Sequence, residues 1–588
     1  MPQKLRSLFP YTIITCCILG GLLLFNNLTA PTTSYDAIYI YETSTSDDVN
    51  QAFEAYTYQL FVDEISCNTL QLYFTLDDFQ SYGITDYLVS FGTFSTDASE
   101  SIFAIENQLV YLSMFSYEEL TEENQLTYDV IQDALTTSLL GTNYTLFYEP
   151  LSPYTGLQTQ LPIVLAEFPL DSEDDILTYL QLLETLPDYF ESLLTYEQAK
   201  SAAGLFMSDT QLDTVLEDCY GFINMEENYL LSTFDNRIAE ITTLSETVQQ
   251  TYSNENAYIL SASVIPAYES LIQGLEDLRN TSTNDMGLCY YEYGRNYYAY
   301  LVLANTGSSR TIPEIQVLIE EQMLEDLLDL QEAYTTLGTT TFETSDIEGS
   351  PEEILTRLEE SMSRLYPEAP DVTITVHDVP SELEDFLSPA FYLIPTIDNA
   401  YDNTIYINNA YMTDSVTLYT TLAHEGYPGH LYQNTYFAAT DPDAIRSLFN
   451  YGGYSEGWAT YVEMCSYYLG ELSSPEDMIL QKNASLNLGL YAYIDIGIHY
   501  EGWSLSDVTD YLSTYGITNS ETSAQIYDLI IATPSNYLKY YLGYLEILEL
   551  KKECIEAWGE DFSQLRFHEA VLEVGPTSFD ILHKYVLE

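Results

Sequence analysis

From Val49 onward, apolar side chains recur three and four residues apart along most of the chain, the spacing that lines one face of an α-helix. "NQAFEAYTYQLFVDEI", "TYDVIQDALTTSLL", "DDILTYLQLLETLPDYFESLLTYEQAKSAAGLF" and "TIPEIQVLIEEQMLEDLLDLQEAY" all carry it. Breaks containing Pro150, Pro169, Pro187 and Pro313 separate several of them, because proline lacks the amide hydrogen a helix interior needs. Ser350-Pro351-Glu352-Glu353 starts a helix, with Ser350 as N-cap and Glu353 at the capping-box position. The pattern then changes. "DVTITVHDVP" and "AYDNTIYINNAYM" alternate apolar and polar residues and are rich in Thr, Val and Ile, which predicts short strands. "SVTLYTTLAHEG" resumes the helical spacing. The expected fold class is mainly α, a large multi-helix body with a small β-sheet beside the active cleft. At 588 residues it is long enough to bury a large core. No fixed-period repeat is visible, and Gly452-Gly453 lacks the strand and lysine of a phosphate-binding loop.

The body is packed but very acidic. Ninety-one Asp and Glu face 16 Lys and Arg, a formal charge of -75, while 46% of residues are hydrophobic and 55 are tyrosine. Such a surface repels nucleic acid and anionic lipid headgroups, so neither is an expected partner. A cationic peptide is the substrate the charge favours. With so few basic residues, tyrosine is expected to take over polar tasks. Cysteines are sparse and lack Cys-x-x-Cys spacing, and an odd number lies beyond the leader, so disulfides are not expected to hold the fold.

Residues 1–30 have the form of a signal peptide or N-terminal membrane anchor. Lys4 and Arg6 precede the apolar run from Leu8 to Phe25, and Leu28-Thr29-Ala30 offers a cleavage point. The run approaches spanning length, so an uncleaved anchor is the rival to secretion. Cys16 and Cys17 fall inside it rather than just after it, which argues against lipid attachment there. Residues 31–48 read as a polar tether and 49–588 as the body, with an N-terminal helical lobe to about 370 and a catalytic region from about 371. The body is expected outside the cytoplasm, secreted or anchored to the outer face of the cytoplasmic membrane.

"TLAHEGYPGHLY", residues 421–432, begins like the His-Glu-x-x-His signature of metalloproteases, but Pro428 stands where the second histidine belongs. His430 lies six positions after His424, a rotation of about 600° on an unbroken helix, which points it away. Pro428 cannot donate to the carbonyl of His424, and Gly429 accepts unusual dihedrals. Together they permit a kink or bulge that brings His430 back. A hydrolytic zinc ion takes three protein ligands and leaves one position open. The third candidate is Glu456 in "GGYSEGWATYVEM", placed in a first helical turn after Ser455 as N-cap, with Thr460 and Glu463 on the same face. Glu463 is a supporting partner or reserve ligand. Glu425 is the natural general base. Further on, Asp495 and His499 are four apart and share a helical face. His499 is a candidate to steady an oxyanion or join the metal, and Asp495 to orient a ring. Tyr500, Tyr537 and Tyr541 are other candidate oxyanion donors. His377, His568 and His583 read as surface or packing residues.

The blocks "HEGYPGH" (424–430), "EGWATYVE" (456–463), "DIGIH" (495–499) and "FHEAVLEVGPTSFDIL" (567–582) together resemble the DUF885 family, mostly bacterial and often exported proteins. "DEISCNTLQLYFTL", "YEYGRNYYAYL", "VPSELEDFLSPAFYLIP" and "ATPSNYLKYYLG" extend the resemblance over nearly everything after residue 45. The family is regarded as distantly similar to zinc metallopeptidases, which implies a zincin-like, mainly helical fold with the cleft between helical lobes. Membership implies His424, His430 and Glu456 around Zn2+, with Glu425 as base. The implied reaction is peptide-bond hydrolysis. Alternatives are hydrolysis of a non-peptide amide or ester by the same site, and a non-catalytic extracellular binding protein. Arg295, Arg446, Lys482 and Lys539 are the candidates to hold a substrate carboxylate.

Overall fold

The computed structural model describes residues 46–587 except 339–345, 380–383, 385–387, 413 and 473. The leader and nearly all of the tether lie outside the described residues. Segments with the three-and-four pattern form helices, among them Ser46–Ile65, Glu122–Gly141, Glu173–Glu184 and Leu186–Ala203. The long stretch 174–206 divides in two because Pro187 sits in the first turn of the second helix, where an amide hydrogen has no partner to lose. Ser350 caps Pro351–Met362 in a reciprocal pair with Glu353, as its spacing predicts. No described helix is long and apolar enough to cross a membrane.

The elements that build the site are α1 (Gly294–Thr306), α2 (Ile312–Leu337), β1 (Thr373–Asp378), β2 (Ala390–Leu393), β3 (Asp402–Ile407), α3 (Ser415–Glu425), α4 (His430–Ala439), α5 (Gly452–Ser466), α6 (Glu476–Ile496), α7 (Asn536–Trp558) and α8 (Gln564–Val574). The strands form one sheet in the order β1-β3-β2, with β1 parallel and β2 antiparallel to β3. Alternation in the sequence foreshadows β1 and β3. It does not foreshadow β2, whose four residues "AFYL" are uniformly apolar because three of them are buried and the fourth half-buried.

Helices before residue 278 share one hydrophobic core, to which Val379, Phe391 and Ile445 also belong. α1, α2 and Pro351–Met362 instead pack with α3 to α8 in a second core, around Trp458, Tyr454 and Tyr541. The change from the first core to the second falls before α1. Tyrosine hydroxyls donate where basic side chains are scarce: Tyr419 to Ser466 O at the end of α5, Tyr454 to Val571 O and Tyr432 to Pro367 O. None of the five described cysteines is in a disulfide.

Candidate metal centre

α3 ends at Glu425 and α4 begins at His430, so the segment between them is a helix break rather than a kink or bulge in one continuous helix. Its ψ angles explain why. Gly426 (φ -107°, ψ -104°) and Gly429 (φ -81°, ψ -136°) both leave the helical region. The chain doubles back so closely that a Cβ on Gly429 would lie 1.7 Å from His424 O. Pro428 brings no amide that the tight path would strand. His424 thus occupies the last turn of one helix and His430 the first position of the next. Trp458 on α5 fastens the break by donating its indole N–H to Pro428 O at 2.9 Å.

Glu456 comes from α5, which starts at Gly452 with Tyr451 in the N-cap position. Ser455 is therefore inside the helix, not its cap, and Glu456 lies in the second turn. Glycines let α5 and α7 approach backbone to backbone: a Cβ on Gly457 would be 2.4 Å from the carbonyl carbon of Gly543, and one on Gly543 2.2 Å from Gly453 O. That contact presses the Glu456 helix deep into the core, where Glu456 is buried.

The three side chains meet. His424, His430 and Glu456 each offer a ligand atom, all within 4.8 Å of one another. Glu456 Oε2 lies 3.3 Å from His430 Nε2 and 3.6 Å from His424 Nε2, and the two rings stand at 80° with centroids 4.9 Å apart. Ligand bonds of 2.0–2.1 Å in a tetrahedron place ligand atoms about 3.3 Å apart, so these spacings fit a metal ion. His430 Nε2 is buried without a hydrogen bond, as is Thr460 Oγ1 one turn beyond Glu456. Glu456 Oε2, at 3.3 Å from His430 Nε2, stands at ligand-to-ligand spacing rather than in a hydrogen bond, which suits a shared ion. Glu463 Oε2 lies 3.0 Å from His424 Nδ1. A carboxylate there accepts a hydrogen bond from Nδ1–H, so that in the neutral ring Nε2 is the lone-pair atom, the arrangement that orients metal-binding histidines.

Electrostatics agree with the geometry. Burial pulls the His424 pKa down, but Glu456 and Glu463 outweigh it and hold the imidazole well above its ordinary value. Burial raises Glu456, and the two histidines overcome it and hold the carboxyl well below the usual range. In the metal-free protein the cluster is therefore a protonated His424 beside an ionised Glu456. Glu425 has the opposite balance. Burial raises it, against the histidines and the Tyr392 N–H. Its Oε2 accepts from that N–H at 3.0 Å. Tyr392 belongs to β2, an edge strand, so the sheet lies directly beside the cluster.

Asp495 and His499 are not in the cluster. They share a face, on which both meet Tyr298, but that face does not meet the His424, His430 and Glu456 group. His499 is buried and uses both nitrogens, Nδ1 accepting from Leu288 N and Nε2 donating to Ile530 O. Burial lowers its pKa to about 4, so it is neutral. Asp495 accepts from Tyr298 Oη and from Ser535 N, and orients no histidine ring. Of the basic candidates, Arg446 is buried and donates to Val574 O and Pro576 O, Lys482 pairs with Asp326 and Asp329, and Arg295 donates to Tyr500 O. Tyr541 is buried with its ring against Gly489 of α6. Its neighbour Tyr540, which the sequence reading passed over, lies nearly parallel to His424 at 26° and 6.4 Å. One tyrosine among 55 gives no sequence signal of its own. His568 is a packing residue as expected, stacked on Tyr366 at 4.1 Å and bonded to Leu365 O.

The fold recurs in solved structures. The crystal structure of the "putative lipoprotein" from Colwellia psychrerythraea is similar with a TM-score of 0.81 at 18% identity, over 92% of this chain and 99% of that one. A "putative lipoprotein of unknown function" from Shewanella oneidensis is similar at a TM-score of 0.59 and 16% identity, over 93% and 100% of the two chains. No curated protein matches the sequence. The family model "Bacterial protein of unknown function (DUF885)" matches residues 91–586, a span that holds every residue of the cluster, and the chain therefore belongs to the DUF885 family.

Proposed function

We propose that this protein is a zinc-dependent hydrolase that cleaves peptide bonds, with His424, His430 and Glu456 as ligands and Glu425 as general base. The observation that supports it most is the convergence of two imidazole nitrogens on one carboxylate oxygen at 3.3 and 3.6 Å. Two histidines and one carboxylate are the donor set of hydrolytic zinc sites that keep a position open. When bound, zinc supplies Lewis acidity toward the scissile carbonyl and lowers the pKa of water. Glu425, next in sequence to His424, would hold the proton of an attacking water and hand it to the leaving amine. Its raised pKa suits a group that must hold and then release a proton. The Tyr392 N–H fixes one of its oxygens. The acidic surface is suited to a cationic peptide. The leader supports a site of action outside the cytoplasm, in keeping with the lipoprotein names of the two similar structures.

Glu456→Ala tests the ligand set. Purified from zinc-supplemented medium, the parent protein is expected to carry one zinc per chain and the variant close to none. Undiminished stoichiometry would move the third ligand elsewhere. The pH dependence tests it separately. Zinc displaces the proton that His424 holds in the metal-free state, so affinity rises with pH and levels off above the raised His424 pKa. Below that pKa, chelator competition should show about a tenfold loss of affinity per pH unit, since one proton leaves as the ion enters. A pH-independent affinity between pH 5.5 and 7 would contradict the assignment of His424.

A further inference from the structure

Two polar side chains, Asp495 and His499, are buried deep in the catalytic half of the chain but are spent entirely on protein atoms. Together they tie the start of α7 to Tyr298 and to the end of the helix before it, Ser520–Ala532. Ser535, the N-cap residue of α7, has φ +65° and makes no side-chain cap. The carboxylate of Asp495 takes its place, accepting from Ser535 N at 3.1 and 3.0 Å. Asn305 Nδ2 holds Ser535 Oγ at 2.6 Å. Tyr298 donates its hydroxyl to Asp495 and lays its ring on His499, at 5.6 Å and 20°. His499 is in turn fixed between Leu288 N and Ile530 O.

Eight residues after Ser535, α7 is pinned a second time, where Gly543 meets Gly453 and Gly457 of α5. Tyr540 lies between the two fixed points, with its ring beside His424. We propose that Asp495 is a positioning residue of the metal centre: by anchoring Ser535 it sets where α7 begins, and so seats the Tyr540 ring on His424. This rests on the reading of His424 as a metal ligand, since only then does the seat of its ring matter to function. Asp495 touches neither the cluster nor a substrate. Its effect passes through the helix, whose fixed start and fixed glycine contact set the position of Tyr540 between them. Without the carboxylate, Ser535 keeps its bond from Asn305 and the buried Tyr537 still packs on Tyr491, so the start of α7 shifts slightly rather than coming free.

The ring current of Tyr540 on the His424 Cε1 proton reads that seat in metal-free protein. With histidines labelled with carbon-13, His424 is assigned as the resonance lost in His424→Gln. Asp495→Ala should shift this resonance and leave those of His377 and His583 in place. Asp495→Asn keeps an oxygen to accept from Ser535 and should restore the parent position. Tyr540→Leu should shift the resonance by itself, and adding Asp495→Ala should change it little more. With zinc, Asp495→Ala should weaken binding about tenfold in chelator competition, and Asp495→Asn much less. Unchanged resonance and affinity in Asp495→Ala would overturn the proposal, as would full additivity with Tyr540→Leu. If Asp495→Ala does not fold, Tyr298→Phe, which removes one donor to the same carboxylate, must shift His424 in the same direction or the proposal falls. A parent protein that binds no zinc would refute the hydrolase reading, while the metal-free resonances would still decide this one.

Discussion

Glu425→Gln is expected to bind zinc as the parent protein does and to lose about a thousandfold in kcat, within the range that a positioned general base contributes. The substitution isolates the proton. Glutamine keeps the shape of the side chain and an oxygen that can accept from Tyr392 N–H, the contact that fixes Glu425 beside β2. What it loses is the ability to take a proton from water and return it. Removing a ligand would lower zinc content, and a merely structural carboxylate would lower stability with little change in the rate of the folded fraction. The combination of full zinc and absent turnover belongs to a base alone. A Glu425→Gln variant with parental kcat on a peptide substrate would remove Glu425 from the mechanism.

Gly429→Ala should damage the centre without touching any ligand. A Cβ on Gly429 falls 1.7 Å from His424 O and 2.5 Å from Ala423 O, both backbone atoms of the preceding helix. Neither can move as a flexible side chain would. Either α4 swings away from the end of α3, carrying His430 with it, or α3 loses its last turn, carrying His424. In both cases the two nitrogens no longer share Glu456. Zinc affinity should fall at least about a hundredfold, because a ligand that leaves the set removes more than a supporting partner does. The cost in stability should be about 1–3 kcal/mol, the usual penalty of forcing an extra methyl into a packed interior. The helical circular dichroism should stay near that of the parent. Parental zinc affinity in Gly429→Ala would mean that the close return of the chain is not what brings the histidines together.

The helices were readable because they are long and one-sided: apolar residues three and four apart leave little else for stretches such as 122–141 or 312–337 to form. The cluster was readable for a different reason. Histidine is rare in this chain, and a His-Glu pair followed by Pro-Gly-His is a local pattern whose chemistry can be worked out on paper. How the chain solves the register problem was not. A kink and a break both satisfy the same seven letters, and tertiary contacts decided between them: Trp458 on Pro428 O, and the Leu355 side chain against Gly426. Asp495 and His499 share a face, as their spacing of four implies, but spacing does not say what a face meets: theirs packs on Tyr298 and not on the cluster. The α5–α7 contact had a trace in the sequence, Gly453 and Gly457 four apart, but their partner Gly543 is nearly ninety residues away and nothing local links them. Tyr540 had no trace at all.

Zinc K-edge X-ray absorption of the protein loaded with one equivalent of zinc tests the central claim most directly. The account predicts two imidazole rings and light oxygen donors, all near 2.0–2.1 Å, with one imidazole lost in His424→Gln and one in His430→Gln. A spectrum without imidazole scattering, or one that neither substitution alters, would contradict it.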